Sequence, residues 1–243
     1  TANGIPDGKG HIIIYGSFSK IGEHTVSNIA MVDSSTGKWR LFNVSTDGEI
    51  RCAAINNGTL YIGGYFTKVN GISRNHIAAV DIATATVTGW NPNITNPAGS
   101  LPCRVECMFY FAGTIYTGGV FSQVGSSIRL NIAGIDATTG VANNWIPNAF
   151  FNSAPGYGNV RKMLRYYNTI YICGDFDFVG GKSHSDVAAI DMSTGLSTNW
   201  TPNPNSVVYG IANKGDTLYL SGAFYQMGSQ VRKGFAAFSI STG

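Results

Sequence analysis

Five copies of one sequence pattern run along the chain. Phe18, Phe66, Phe121, Phe176 and Phe224 follow one another at intervals of 48, 55, 55 and 48 residues. Asp33, Asp81, Asp136 and Asp191, and then Ser239, repeat the same intervals. Two markers with one spacing establish an internal repeat. A repeat of this period restricts the chain to units that bury their apolar faces against one another.

Each unit reads as β structure: short alternating runs are bounded by Gly, Asn, Asp and Pro. In the unit around Phe176 the runs cover residues 160–166, 170–174, 187–191 and 196–200. Asn168-Thr169 is the expected hairpin turn. Asp191 is placed to cap the turn at 193–195 through its carboxylate, and Pro202 stops the last run. Four antiparallel strands per unit predict propeller blades. The fold class is therefore all-β, a β-propeller of about five four-stranded blades. One domain covers residues 1–243, with repeats at about 11–47, 48–93, 103–148, 158–203 and 206–243. The end blades are expected to be incomplete. The first inner strand would begin at Ala2, in a stretch rich in Gly and Pro, and the last repeat stops inside its turn. Open sheet edges are avoided, so the reading is five blades of a longer chain, or edges covered by a partner. The alternative is a five-bladed ring closed by residues 1–10.

The segments Tyr61-x-Gly63-Gly64-x-Phe66, Gly125-x-x-x-Arg129, Ile132-Ala133-x-Ile135-Asp136-x-x-Thr139-Gly140 and Trp145-x-Pro147-Asn148 carry a resemblance. The pattern resembles the delta-type β-propeller repeat of bacterial surface and phage proteins, a family of unknown function, and its strand plan is kelch-like. The resemblance spans nearly the whole chain and implies a propeller without implying an activity. Ala189, Asp191, Thr194, Gly195 and Trp200 are also similar to the tryptophan-docking motif of quinoprotein propellers. The adjacent Cys pair and acidic cluster of a quinone site are missing, so Trp90, Trp145 and Trp200 are read as packing between blades and no cofactor is expected.

Composition excludes several classes. Net charge is +3, from 16 Lys and Arg against 13 Asp and Glu, too small an excess for a nucleic-acid binder. No apolar run has the length of a membrane-spanning helix. His11, His24, His76 and His184 fall at unrelated places in the repeat, so no metal site is expected. Cys52 and Cys107 share one inner-strand position and read as core residues. Cys103 and Cys107 are too far apart along an extended chain for a disulfide. No nucleophile motif appears.

Two regions remain as site candidates. The extra residues of the longer repeats fall in the blade-to-blade loops 94–102 and 149–159, on the face where the second-to-third strand connections also emerge. Phe150, Phe151 and Tyr157 in the second loop suit a sugar face or a protein partner. Arg74, Arg129, His184 and Arg232 stand eight residues after their marker Phe and could ring that face for an anionic ligand, or bond a neighbouring blade's carbonyls or Asp. Asp175 and Asp177 flank Phe176 and are read as a like-charged pair at the channel mouth. The expected function is a non-enzymatic module, extracellular, on a cell surface or on a virion appendage. It would be a scaffold, or bind a glycan or protein on a surface within a larger assembly. The alternative is a carbohydrate-active hydrolase or oxidase using Asp175 and Asp177.

Overall fold

A computed structural model of the chain describes residues 2–97, 101–153 and 158–240. The molecule is an all-β propeller array of five antiparallel blades. Blade 1 holds Ala2–Pro6, His11–Gly16, Ile29–Asp33 and Trp39–Arg40; blade 2 holds Ile50–Asn56, Thr59–Gly64, Ile77–Asp81 and Thr86–Val87. Blade 3 holds Arg104–Phe111, Thr114–Val120 and Ile132–Asp136; blade 4 holds Asn159–Tyr166, Thr169–Asp175 and Val187–Asp191. Blade 5 holds Val208–Lys214, Thr217–Gly222 and Phe235–Ser239.

Three expectations change. Blade 1 is complete, because Ala2–Pro6 pairs with His11–Gly16 in continuous register from Ala2–Gly16 to Pro6–Ile12. This strand lies at the edge of its sheet, where the N–H that Pro6 lacks is dispensable. Asp7 closes the turn that follows, its carboxylate accepting the N–H groups of Lys9 and His11. The fourth strand shrinks in blades 3 and 4 to the single bridges Ile135–Ala142 and Ile190–Ser197. There the chain leaves the sheet edge to carry Trp145 and Trp200 onto the next blade. The hairpin turn of blade 4 is at Tyr167-Asn168, one residue earlier than the sequence pattern predicts. Tyr167 (φ 48°) repeats the left-handed position of Asn57 and Ala112.

The core lies between the blades. Alternate residues of a strand face opposite sides, so each blade presents one face to the preceding blade and one to the following. Leu60, Ile62, Phe66 and Val69 of blade 2 meet Ile13, Tyr15, Ile29 and Met31 of blade 1. The same joint recurs around Phe121, Phe176 and Phe224, and the marker phenylalanines from Phe66 to Phe224 are fully buried. Tryptophans lock the joints between blades 2 and 3 and between blades 3 and 4 from outside. Trp90 Nε1 donates to the Asp136 carbonyl at 2.9 Å and Trp145 Nε1 to the Asp191 carbonyl at 3.3 Å. Their rings stand edge-on against Tyr61 and Tyr116. The turn aspartates act as expected: Asp136 Oδ1 accepts the Thr138 and Thr139 N–H groups, and Asp191 Oδ1 those of Ser193 and Thr194.

Removing a marker ring empties a joint that cannot collapse without moving two blades. Phe121→Ala is expected to lower the unfolding free energy by about 3–5 kcal/mol in urea titration; a loss below about 1 kcal/mol would contradict this packing.

Candidate functional site

The innermost strands carry a feature that links the repeat to the propeller axis. In blades 2 to 5 the register slips by one residue between Ile50 and Cys52, Val105 and Cys107, Val160 and Lys162, and Val208 and Gly210. Each slip is a β-bulge, and such an extra residue bends its strand and re-aims a side chain. The bulge residues are Arg51, Glu106, Arg161 and Tyr209. The glycine two residues before each marker Phe makes room for them. A Cβ at Gly64, Gly119, Gly174 or Gly222 would strike the carbonyl of Glu49, Arg104, Asn159 or Val207 in the partner strand. The glycine demanded by the repeat is thus the glycine demanded by the bulge.

All four bulge residues line one cavity of about 310 Å³, together with Asn3 of blade 1. Asn3, Arg51, Glu106, Arg161 and Tyr209 each stand fifteen residues before their marker Phe, so they share one position of the repeat. Five blades therefore deliver one side chain each to the axis. The cavity lies at the end of the inner strands where the blade-to-blade linkers enter. The linkers and the outward hairpins meet on that side, since Ile94–Thr95 pairs with Gln123–Val124 and Ala149–Phe150 with Phe178–Val179.

The charges are held in an ordered net. Arg51 Nε donates to Glu106 Oε2 at 2.9 Å and its Nη1 to Glu49 Oε1 at 3.2 Å. Arg104 Nε donates to Glu106 Oε1 at 2.5 Å. Burial pushes the Glu106 carboxyl up, and the two guanidiniums more than reverse this, leaving it below the usual carboxylate range. Both guanidiniums also stand near the Tyr65 ring, 5.8 and 5.5 Å from its centroid. Across the cavity Arg161 Nη2 bonds Asp175 Oδ2 at 2.7 Å and the guanidinium lies 5.7 Å from the Tyr209 ring centroid. Arg161 Nε is buried and has no hydrogen-bond partner among the described residues. Lys162 lines the same cavity and, among the described residues, makes no ion pair.

The candidates read from the sequence are distributed differently. Asp175 reaches the axis through Arg161, whereas the Asp177 carboxylate accepts the Asn152 N–H at 2.6 Å. The two acids thus serve separate partners instead of one paired site. A third acid, Asp186, is the one whose pKa is pushed up, to about 6, first by burial and then by Asp175. Asn28 and Asn131 hold its place in blades 1 and 3 and use their amides to bond the linker carbonyls of Thr46 and Ala149. Asp186 accepts the Phe176 N–H but has no amide to donate. Arg74 and Arg129 bond carbonyls of their own blades, Thr88 at 2.7 Å and Asn143 at 2.5 Å. His184 is buried, and Arg232 is exposed with its guanidinium on the Val231 carbonyl. Phe150 packs on Phe178, ring centroids 5.1 Å apart, and Phe151 is half-buried. Tyr157 lies outside the described residues. Cys52, Cys107 and Cys173 are buried free thiols, and burial pushes the Cys173 thiol up to about 12. Among the described residues no three His, Cys, Asp or Glu side chains gather where a metal ion could be held.

Comparison with known proteins agrees on architecture. The profile of a domain of unknown function, the DUF5122 β-propeller, matches residues 55–78. No curated protein matches the chain. Among solved structures it is similar to the computationally designed Ika8 protein, at 11% identity and a TM-score of 0.56 over 97% of this chain and 57% of that one. It is also similar to the extracellular domain of a B. thetaiotaomicron protein described as the hybrid two component system BT4673, at 12% identity and a TM-score of 0.60 over 90% of this chain and 24% of that one. A chain of the Mitotic Checkpoint Complex matches at 12% identity with a TM-score of 0.55, over 96% of this chain and 60% of its own length. The chain thus spans less than two thirds of each of these three structures. What these likenesses define is the class, a β-propeller domain.

Asp186 supplies a test of the site's electrostatics. Its raised pKa means that the folded state holds the proton more tightly than the unfolded chain. That contribution is full below about pH 4 and is lost as pH rises through about 6. Asp186→Asn is therefore expected to stabilise the protein by about 1 kcal/mol at pH 8, a figure kept small by solvent screening. The gain should vanish toward pH 4 in thermal melts; an equal gain at both pH values would contradict the assignment.

Proposed function

We propose that this propeller is a non-enzymatic binding module of an exposed surface, a cell envelope or a virion appendage. Its axial cavity would take a glycan residue that carries a carboxylate. The convergence of five repeat-position side chains on one cavity is the observation that supports this reading. Arg161 with its unpartnered Nε, and Lys162 beside it, offer cationic donors to a carboxylate. Glu49 and Glu106 offer acceptors to hydroxyl groups, and the Tyr209 ring offers a flat apolar face to a sugar. The ion pairs of Glu106 with Arg51 and Arg104 favour binding over acid–base chemistry, because a carboxylate held ionised is a poor proton donor. Phe150 and Phe151, on the linker that pairs with Phe178–Val179 on the same side, would extend the contact to a longer glycan or to a protein. Low charge content, 12%, and the extracellular setting of one structural neighbour are in keeping with an exposed location.

Titration calorimetry against uronic-acid and matched neutral oligosaccharides tests the proposal. Acidic ligands are expected to bind, and the paired change Arg161→Ala and Lys162→Ala to weaken them at least about tenfold. Raising the salt concentration should weaken them further. Equal binding of neutral sugars, or binding abolished by Phe150→Ala and Phe151→Ala but not by the axial pair, would move the site to the loop. Turnover of any of these glycans, lost in Asp175→Asn, would establish the hydrolase instead.

A further inference from the structure

Blades 1 to 4 each leave a gap between the outward hairpin and the residues that follow the third long strand. In blades 2 and 3 an arginine eight residues after the marker Phe closes it. Arg74 Nη1 donates to the Ser73 carbonyl at 2.8 Å and its Nη2 to the Thr88 carbonyl at 2.7 Å. Arg129 spans the same gap, from the Ile128 carbonyl at 2.7 Å to that of Asn143 at 2.5 Å. Blade 4 holds the buried His184 at this position, and Lys182 Nζ crosses to Asn199 Oδ1 at 2.7 Å. Blade 1 carries Val26 there, and its gap is an open cavity of about 640 Å³.

Glu23, His24, Thr25, Val26, Trp39 and Leu41 line this cavity. The hairpin keeps the register of its neighbour, Thr25 opposite Lys20 as Ser73 is opposite Lys68. The Thr25 carbonyl therefore holds the place of the Ser73 carbonyl that accepts from Arg74. The His24 and Trp39 rings are stacked, centroids 4.0 Å apart and planes within 12° of parallel. Glu23 stands where blades 2 to 4 have Gly71, Ser126 and Gly181, and Trp39 where they have Val87, Ala142 and Ser197. Among the described residues Glu23 makes no ion pair. Blade 1 has thus lost the cation of the repeat and gained, around the space it left, a carboxylate and two stacked rings. The cavity lies between two parts of blade 1 itself, away from the face that a preceding blade would cover. In blades that have a neighbour on each side the same positions still meet solvent. Ile72, at the place of His24, is 45% exposed, and Gly89, Asn144 and Asn199, at the place of Leu41, are exposed.

We propose that this cavity binds a guanidinium from outside the chain, that of an arginine side chain on a protein partner. The incoming group takes the place that Arg74 and Arg129 take in their own blades. Its planar cation lies against the rings of His24 and Trp39 and donates to the Glu23 carboxylate and the Thr25 carbonyl. Val26 and Leu41 cover its methylene stem.

NMR titration of the isotope-labelled 243-residue chain with Nα-acetyl-arginine amide tests this. The Trp39 indole N–H signal, assigned through Trp39→Phe, is expected to shift saturably together with the amides of residues 23–27. The citrulline analogue keeps the shape without the charge and should not saturate. The lysine analogue should bind at least about fivefold more weakly, having no planar fork. Val26→Arg places the chain's own guanidinium in the gap and should weaken binding at least about tenfold. If that variant melts early, Glu23→Gln on the exposed hairpin replaces it, with a loss of at least about threefold. A Gly-Arg-Gly peptide is expected to bind at least as tightly as the single residue. No saturable shift at Trp39, equal binding of the citrulline analogue, or unchanged binding in the folded variant would overturn the proposal. Shifts confined to Arg51, Arg104 and Arg161 would place the ligand at the axis and do the same. Binding of the single residue but not of the peptide would exclude a protein partner.

Discussion

The joint between neighbouring blades is the interaction on which everything else in this molecule rests. A single blade has two apolar faces and no way to bury either. Leu60, Ile62, Phe66 and Val69 become interior only because Ile13, Ile29 and Met31 lie against them. A repeat unit of this kind is stabilised by its neighbours rather than by its own contents. The marker phenylalanines Phe66, Phe121, Phe176 and Phe224 each lie fully buried in one of these joints. The tryptophan recurs in the middle blades because it ties the rim of the joint to the next blade's turn.

The same geometry creates the axial site. Blades packed side by side converge on their inner strands, where little space is left. In blades 2 to 5 the bulge relieves that crowding and turns one side chain toward the axis, and a glycine in the neighbouring strand admits the displaced backbone. Structure then constrains the glycine tightly and the bulge side chain hardly at all. Asn3, Arg51, Glu106, Arg161 and Tyr209 differ from blade to blade while their places in the repeat do not. A position that is fixed in space and free in chemistry is where a propeller can acquire specificity.

Much of this architecture is legible in the amino-acid sequence. Two markers at shared intervals determine the number of blades, and the turn aspartates and interblade tryptophans behave as their patterns imply. The axial residues are harder to see because a bulge breaks the two-residue alternation by which strands are read, so Arg51 and Glu106 look like ordinary strand residues. Their signal is a fixed offset from the marker Phe combined with variable chemistry. The strand Ala2–Pro6 is obscured for another reason. Gly4 and Pro6 argue against a strand by propensity, yet an edge strand at the axis needs main-chain pairing more than side-chain packing. Asp175 and Asp177 are neighbours in sequence, and the structure separates them because Arg161 and the Asn152 N–H each claim one.

If the joints carry the stability, local stability must follow the number of joints that each blade makes. Native-state hydrogen exchange followed by mass spectrometry measures this directly. Strands Thr59–Gly64, Thr114–Val120 and Thr169–Asp175, each flanked by joints on both sides, should exchange most slowly. Strands His11–Gly16 and Thr217–Gly222, each with one joint, should open at lower free energy under conditions where the chain is monomeric. Uniform protection across the five blades would contradict this view, since it would mean that each blade is stable by itself or that the ring is closed.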